Sequence, residues 1–285
     1  MQRPSHMSNG QLNDWLRCGK SYQLKRIQGA PSKPSVFLVA GVAVHAAIYE
    51  VNLHHMGLRG EVDPEEEFEK SFEVETGKLI QSSGLPSSSW KVAGRVTKDK
   101  PNKEDMAWWR VEGARQVVEY QKWLSETDWN LYTHDEKLMC EFETHADFGG
   151  TPVKGFLDAI MVSPDGELCV IDYKTGSSKP TGGVQLGLYC AAMQRVLGIE
   201  VRHGAYFMTR KAEMTDVIDL SRFSPTYFDN IFGQADKALD AGIYIPNPGT
   251  ACFMCDVSDY CYAYGGGLAW TTDPDHPQYN TNKKG

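Results

Sequence analysis

The chain has 285 residues, 41% of them hydrophobic and 23% charged, which is typical of a globular protein with one large domain or a core carrying an inserted subdomain. Its formal net charge of −8 argues against a protein that coats duplex DNA along a broad basic face, although a nuclease that neutralises phosphates with metal ions stays compatible. The longest apolar run, residues 36–49, is shorter than the ~20 residues of a membrane-spanning helix. Residues 1–11 have no apolar signal core, so we expect a cytoplasmic protein.

Helical periodicity dominates the first half of the chain. Ser8 precedes an apolar stripe and is a plausible N-cap for the first helix. Residues 81–105 are rich in Gly, Ser, Pro and Lys, which predicts a flexible loop. The predicted helices cover residues 8–27, roughly 40–55, 63–80 and 106–124.

The second half alternates between strand and helix patterns. Gly198 is expected to close one helix, and Pro225 lies in the first turn of another. The order predicts a mixed α/β fold with a central mixed sheet flanked by helices and an N-terminal helical region. The predicted strands cover 136–149, 151–162 and 167–174, with a turn at 163–166, then a helix over 184–198, a strand pair over 202–220 and a helix over 224–242.

A carboxylate and an ammonium group lie two residues apart at the end of the strand that reads GELCVIDYKTG. Side chains alternate across a strand, so Asp172 and Lys174 share one face and Tyr173 takes the other. The short turn before this strand makes the preceding strand antiparallel and brings Asp158 close to Asp172. Clustered carboxylates suit Mg²⁺ or Mn²⁺, but an ion pair at a solvated strand end explains the same residues about equally well.

Two further features are each weak alone, but together they add to the case for the metal site over the ion pair. Gln185 and Tyr189 are four residues apart on the next helix, so both share one face, which could also be an ordinary polar face. His45 lies within an apolar helix, where a histidine is more often a satisfied core residue than a metal ligand.

The motifs G-x-x-x-H, G-x-x-D, D-x-K and Q-x-x-x-Y follow one another and together resemble the RecB-like branch of the PD-(D/E)XK nuclease superfamily. The resemblance implies a restriction-endonuclease-like core in which His45, Asp158, Asp172 and the Tyr173 carbonyl hold Mg²⁺ or Mn²⁺. It also implies Lys174 as the catalytic lysine, with Gln185 and Tyr189 organising the site or touching DNA. The four motifs are Gly41 with His45, Gly155 with Asp158, Asp172 with Lys174, and Gln185 with Tyr189.

Three of the seven cysteines form a tight C-terminal C-x2-C-x5-C cluster that lacks a fourth member. Together with the distant Cys18, this pattern resembles the CRISPR-associated RecB-type exonuclease family and implies a structural [4Fe–4S] cluster tying both chain ends together. Spacing alone would suit zinc equally well. Gly19 stands where that family usually has proline. The implied ligands are Cys18, Cys252, Cys255 and Cys261, whereas Cys140, Cys169 and Cys190 fit apolar patterns and are expected to be buried.

Weaker candidates lie outside these motifs. Glu141 and Glu143 precede Asp158 and could hold a metal-bound water, although a solvated strand face is the more ordinary interpretation. Trp109 could stack on bases, and Arg210 with Lys211 could contact phosphates at a hairpin tip, but a core tryptophan and a charged turn explain them as well.

The resemblance implies a metal-dependent DNA exonuclease that degrades single-stranded DNA or DNA ends in the 5′→3′ direction. The alternatives are a non-catalytic DNA-binding or assembly module stapled by iron–sulfur or zinc, and an enzyme acting on RNA. The chain has no P-loop motif, so unwinding would need a helicase partner, and integration or recombination partners are also conceivable. The expected segments are N-terminal helices at 1–56, a helical roof at 57–130, the nuclease core at 131–245, the cysteine cluster at 246–264 and a flexible tail at 265–285.

Overall fold

The structure, a computed structural model, describes residues 3–32, 34–94, 96–98 and 103–266. The predicted tail lies outside this range except for its first two residues, as does part of the predicted loop. Two compact units divide the chain. The terminal unit comprises Met1–Lys33, His145–Gly155 and Pro225–Gly285, and the sheet unit comprises Pro34–Thr144 and Phe156–Ser224. The division into the five segments expected from the sequence remains a prediction.

The first predicted helix is interrupted at one of the expected cluster cysteines. Helix α1 (Asn9–Arg17) begins after Ser8, whose hydroxyl accepts a hydrogen bond from the Gln11 amide at 3.2 Å. The backbone of Cys18 is extended, with φ −166° and ψ 105°. Helix α2 (Gly19–Tyr22) follows and continues as a π-helical turn, Gln23–Ile27. The expected single helix is therefore two helices that meet at Cys18.

Three long helices pack together in the sheet unit: α3 (Val36–His55), α4 (Pro64–Ser83) and α5 (Met106–Glu126). Helix α3 is four residues longer than predicted, and its 20 residues, with a mean hydropathy of 1.7 over the most apolar 18-residue window, are enough to cross a membrane by length and composition alone. Half of its most apolar window is buried among α4, α5 and the sheet. Helix α3 therefore packs as a core helix.

A mixed sheet follows these helices and confirms the predicted fold class. Strands β5 and β6 pair antiparallel, β6 and β7 pair parallel through α6, and β1 and β4 pair with the other side of β5. The predicted strand pair over 202–220 is three short strands. The elements are β1 (Asn130–Leu131), β2 (Thr133–His134), β3 (Lys137–Leu138), β4 (Cys140–Phe148), β5 (Thr151–Val162), β6 (Leu168–Lys174), α6 (Val184–Leu197), β7 (His203–Met208), β8 (Glu213–Met214) and β9 (Ile218–Asp219).

Strand β6 is buried on both faces. Its residues Cys169, Ile171 and Tyr173 join the core formed with α3 and α5, and α6 also contacts β6 and β7. Gly198 ends α6 in the left-handed conformation, with φ 69°, as the sequence predicts. The end of β6 therefore lies in a layered arrangement with α3, α5 and α6.

The C-terminal part of the terminal unit contains helix α7 (Pro225–Asp240) and three short 3₁₀ turns. Pro225 begins α7, as predicted. Leu24 and Ala30, from the N-terminal segment, are buried against Val257, with Cys255 and Cys261 packed around them. The two ends of the described chain therefore share a small apolar core.

Candidate active site

Two carboxylates lie side by side where β5 and β6 approach the end of the sheet. Ala159 pairs with Ile171 in antiparallel register, so Asp158 and Asp172 are neighbours across the two strands. Both are nearly buried, with 7% and 2% of the residue exposed. The Tyr173 amide donates a hydrogen bond of 2.7 Å to Asp158 Oδ2, which fixes this carboxylate against β6.

His45 of α3 faces the same strand ends. Its Nδ1 lies 3.3 Å from Asp158 Oδ1, and its Nε2 lies 3.1 Å from the Tyr173 carbonyl oxygen. Burial alone would lower the pKa of His45, but Asp158 and Glu141 outweigh it and hold this pKa well above its usual range. The predicted metal ligands His45, Asp158, Asp172 and Tyr173 are therefore brought together.

Glu141 of β4 joins this group, although a solvated strand face was the more ordinary expectation. Its Oε1 lies 3.5 Å from His45 Nδ1, and ligand atoms of His45, Glu141 and Asp158 all lie within 4.8 Å of one another. Oε1 is buried and has no hydrogen-bond partner among the residues that the structure describes. Glu141 also has a φ of 46°, a left-handed conformation that costs a residue other than glycine ~1–3 kcal/mol. Glu143 is exposed.

Lys174 connects Asp172 to α6. Its ammonium forms an ion pair with Asp172 and donates a hydrogen bond of 3.1 Å to Gln185 Oε1. Burial, together with the nearby charge of Asp158, raises the pKa of Asp172 to about 7 despite the opposing effect of Lys174. Tyr189 lies on the same helix face as Gln185, and burial raises its pKa. The structure therefore contains both features that the sequence offered as alternatives: the Asp172 to Lys174 ion pair and the carboxylate cluster.

A buried hydrogen-bond network holds the Tyr173 side chain on the opposite face of β6. The hydroxyls of Tyr173 and Tyr120 lie 3.0 Å apart, and Tyr120 donates to Asn52 Oδ1 at 2.7 Å. Asn52 Nδ2 donates to the Tyr173 hydroxyl at 3.3 Å. Since the Tyr173 amide and carbonyl face Asp158 and His45, this network also fixes the backbone beside the carboxylates.

One turn earlier in α5, Gln116 supports the next residue of β6, Lys174, through Thr209. The Thr209 amide donates to the Lys174 carbonyl at 3.1 Å, and the Thr209 hydroxyl donates to Gln116 Oε1 at 2.5 Å. Gln116 and Thr209 are completely buried. Helix α5 therefore supports the segment Asp172 to Lys174 at two consecutive positions.

The weaker DNA-contact candidates occupy different environments. Trp109 is buried, so it cannot stack on a base in this conformation. Arg210 forms a two-pronged ion pair with Glu104, at 3.0 and 2.9 Å, and its guanidinium also stacks on Trp109. Lys211 is exposed and pairs with Glu213 at 3.1 Å. Of these three, only Lys211 presents its charge to solvent, and a phosphate contact stays a prediction.

The four predicted cluster cysteines all belong to the terminal unit and are half-buried. Two of the four sulfurs face backbone amides: Asn247 N lies 3.4 Å from Cys18 Sγ, and Gly249 N lies 3.4 Å from Cys252 Sγ. A third, Cys255 Sγ, lies 3.5 Å from the Ser21 hydroxyl. Cys140, Cys169 and Cys190 are buried, as expected, and burial raises the pKa of Cys169 to about 11.

Gly19 has a packing reason that the sequence did not reveal. A Cβ atom at this position would lie 2.8 Å from the backbone nitrogen of Ile245 and 2.9 Å from the backbone of Tyr244. The glycine beside Cys18 therefore permits a close approach between the two ends of the terminal unit.

Comparison with protein families identifies the class of enzyme. Residues 6–262 match the family model described as the PD-(D/E)XK nuclease superfamily. The chain belongs to the PD-(D/E)XK nuclease superfamily. The gene 69 proteins of Mycobacterium phages D29 and L5 are 28% and 27% identical to it, each alignment covering 89% of this chain and 95% of the relative. A crystal structure of a provisionally named exonuclease from Eubacterium rectale aligns with a TM-score of 0.48 and 11% identity, over 95% of this chain and 91% of the other.

Superfamily membership makes the chain a nuclease, and the donor set fits the divalent metals that these nucleases use. Carboxylate oxygens and an imidazole are suitable ligands for Mg²⁺ or Mn²⁺. The raised pKa of Asp172 beside Asp158 indicates crowded negative charge, which a cation would relieve.

Sequence reasoning missed the residues that support the nuclease site from α3 and α5. Asn52, Tyr120 and Gln116 form no motif with Asp172 and Lys174, because they lie on other elements and act through side-chain hydrogen bonds. A polar residue inside an apolar helix, such as Asn52, was the available signal.

Proposed function

We propose that this nuclease is a divalent-metal-dependent DNA exonuclease of the RecB-like branch, which hydrolyses single-stranded DNA. The observation that carries the proposal is the convergence of His45, Glu141 and Asp158 within 4.8 Å, next to the Asp172 and Lys174 pair. A bare ion pair at a strand end would need neither a third carboxylate nor an imidazole.

Mg²⁺ or Mn²⁺ would be held by His45, Asp158, Asp172 and the Tyr173 carbonyl, with Glu141 as an added ligand. When bound, such an ion supplies Lewis-acid chemistry that stabilises the negative charge developing on the phosphate during hydrolysis. The amide of Tyr173 orients Asp158 through its 2.7 Å hydrogen bond, so this ligand needs little reorganisation.

Lys174 would act as the catalytic lysine. Gln185 and Asp172 hold its ammonium at the strand end, where its protons can stabilise a developing negative charge or orient the attacking water. Gln185 acts as a positioning residue for Lys174, and Tyr189 lies on the same face of α6. This arrangement supports hydrolysis of a phosphodiester whose reacting phosphate approaches Asp172 and Lys174.

Single-stranded DNA is the substrate that we favour, with attack at ends and 5′→3′ polarity. The net charge of −8 makes extended gripping of a duplex unfavourable. Polarity and preference for ends rest on the resemblance of the motifs to the RecB-like branch.

A structural [4Fe–4S] cluster held by Cys18, Cys252, Cys255 and Cys261 completes the proposal. Amide contacts to two of these sulfurs and the shared apolar core of Leu24, Ala30 and Val257 support a site that joins the chain ends. Four thiolates would also suit zinc, and the nuclease motifs of the same chain are the reason for favouring iron–sulfur.

We also propose a cytoplasmic location and a helicase partner. A reducing compartment would protect both the cluster and the free thiols of the buried cysteines. Because the sequence contains no P-loop motif, a partner would have to unwind duplex DNA before this enzyme degrades it. Integration or recombination proteins are other partners for an enzyme that resects ends.

The test is degradation of linear single-stranded DNA, labelled at the 5′ end or the 3′ end, with Mn²⁺ or Mg²⁺. We expect cleavage by the parent protein and a loss of at least about a hundredfold in Asp172→Ala and Lys174→Ala, because each removes a charge from the reacting centre. Asp165→Ala and Lys137→Ala, at exposed positions of the same unit, are the matched controls and should stay active.

Further substrates separate the finer claims. Early loss of the 5′ label indicates 5′→3′ polarity, and an uncut circular strand indicates a need for ends. Blunt duplex DNA should be degraded only when a helicase is added. If Asp172→Ala and Lys174→Ala cut as fast as the parent, the proposed centre is wrong, and the non-catalytic DNA-binding module becomes the better explanation of the fold.

A further inference from the structure

Exposed apolar side chains border the candidate active site on two elements of the sheet unit. Phe37, Leu38 and Val42, on the first two turns of α3, are 46%, 58% and 45% exposed. Phe156 of β5 is 47% exposed and precedes Asp158 by two residues. We call these four residues the apolar rim.

Helix geometry directs part of this rim toward His45. Leu38, Val42 and His45 have the spacing i, i+4 and i+7, so they share one face of α3. With a rise of ~1.5 Å per residue, Leu38 lies about 10 Å along the helix axis from His45, the reach of one or two nucleotides. A Cβ atom on Gly41 would be 3.3 Å from the Thr175 hydroxyl, so this turn of α3 lies against the end of β6.

Strand geometry directs Phe156 to the same region. Residues two apart on a strand point to the same face, so Phe156 and Asp158 are neighbours on one face of β5. The core does not account for the exposed positions of α3, because other positions such as Ala40, Val44 and Ala47 supply its buried face. Exposed apolar side chains that adjoin one another mark binding surfaces, and Leu38 and Val42 are adjacent on one face of α3.

The identity of the site determines what can occupy this border. A nuclease substrate must lay the nucleotides that flank the cleaved bond over the surface around the metal ligands. Residues 36–49 contain no Lys or Arg, so the α3 part of this border offers no cation to a phosphate. Unpaired bases offer apolar faces that pack on such side chains, whereas paired bases are stacked inside a duplex and inaccessible.

We propose that the apolar rim binds unpaired bases of the strand being cleaved, next to the reacting phosphodiester. This inference rests on the proposed function and adds how the site selects single strands. Selection comes from base contacts made at the border of the site, instead of from contacts to the phosphate backbone.

The experiment compares binding of two fluorescent oligonucleotides of equal length, an oligothymidine and an abasic strand with the same phosphates. The proteins are Leu38→Gln with Val42→Gln in one chain, and Val111→Gln as the control. All carry Lys174→Ala, which keeps the DNA intact. Val111 is 74% exposed on α5, so its variant makes the same chemical change at a position outside the rim.

We expect the rim variant to bind oligothymidine about tenfold more weakly, because two apolar side chains that would pack on the base faces are replaced by polar ones. It should bind the abasic strand as the Lys174→Ala protein does, and the Val111→Gln protein should match that protein on both strands. Equal losses for the abasic strand, or no loss with oligothymidine, would overturn the proposal. A change in sedimentation of the rim variant without a change in DNA binding would assign the rim to contacts between copies of this chain.

Failure of the rim and failure of the proposed function give different results. If the parent protein cleaves single-stranded DNA and the rim variant binds oligothymidine normally, the rim is wrong and the nuclease proposal stands. If the parent cleaves no DNA but the rim variant still loses oligothymidine selectively, base binding stands and the proposed exonuclease activity is wrong.

Discussion

At the scale of single residues, Glu141 combines two unfavourable features that metal binding would explain. Its backbone is in the left-handed region, and its buried Oε1 has no hydrogen-bond partner among the described residues. Such costs persist where the surrounding structure enforces them, commonly at functional sites. Glu143, two residues further along β4, is exposed and serves as an internal comparison.

We expect Glu141→Gln to weaken Mn²⁺ binding by about tenfold, because removing one ligand charge costs ~1–2 kcal/mol in a partly hydrated site. Isothermal titration calorimetry of the metal-free protein measures this directly. Glu143→Gln should bind Mn²⁺ as the parent does. Equal affinities for both variants would remove Glu141 from the ligand set.

Asp172 gives the site a pH dependence whose sign follows from its raised pKa of about 7. The folded state holds this proton more tightly than the unfolded state, so metal-free stability falls as pH rises from about 4 to about 7. We expect Asp172→Asn to raise the melting temperature of the metal-free protein, and to do so more at about pH 8 than at about pH 5. A shift that is the same at both values, measured by calorimetry, would contradict the raised pKa.

At the scale of elements, α5 supports the catalytic strand from outside the site. Gln116 and Tyr120 are four residues apart, and their hydrogen bonds reach Thr209 and Tyr173 at the ends of β7 and β6. Gln116 and Tyr120 are both completely buried, so removing either hydrogen bond leaves a buried polar group with neither a protein partner nor water. The helix thereby fixes the backbone that faces His45 and Asp158.

We expect Tyr120→Phe to lose ~1–3 kcal/mol of stability, because Asn52 Oδ1 loses its 2.7 Å donor. Mn²⁺ affinity should fall several-fold as well, since the Tyr173 backbone is less firmly held. Tyr132→Phe, at a half-buried position that contacts His134, is the control. Mn²⁺ affinity is measured at a temperature where the variant is folded. If Tyr120→Phe lowers the stability but leaves this affinity unchanged, α5 has only a structural role.

At the scale of the whole molecule, the proposed cluster joins parts of the chain more than two hundred residues apart. Closing so large a loop restricts the unfolded chain, so a lost ligand should loosen the two ends together. The packing of Leu24 and Ala30 on Val257 and the close approach at Gly19 hold the same two segments.

We expect protein purified without oxygen to be brown and to contain acid-labile sulfide. Cys255→Ser should lose both and be cut faster by proteases at the N-terminal and C-terminal segments of the terminal unit. Cys169→Ala, which removes a buried cysteine from the sheet unit, should keep the colour. A colourless parent protein that contains zinc would replace the cluster with a zinc site.

The sequence alone predicted the mixed α/β fold and the motif residues, because hydrophobic periodicity and short-range spacing are local signals. Ser8, Gly198 and Pro225 marked helix ends correctly, since capping depends on neighbouring residues. The break at Cys18 was missed, because helical propensity continues through that residue and packing interrupts it.

Only the tertiary structure decided which groups surround the proposed metal ligands. Glu141 became part of the site because a left-handed residue in β4 turns its carboxylate toward His45, and no local pattern specifies that conformation. Tyr120 and Asn52 reach Tyr173 from two different helices, so their contacts depend on how α3 and α5 pack on the sheet. Local sequence thus determined the elements and the nuclease motifs, whereas long-range packing decided the support of the site and the apolar surface beside it.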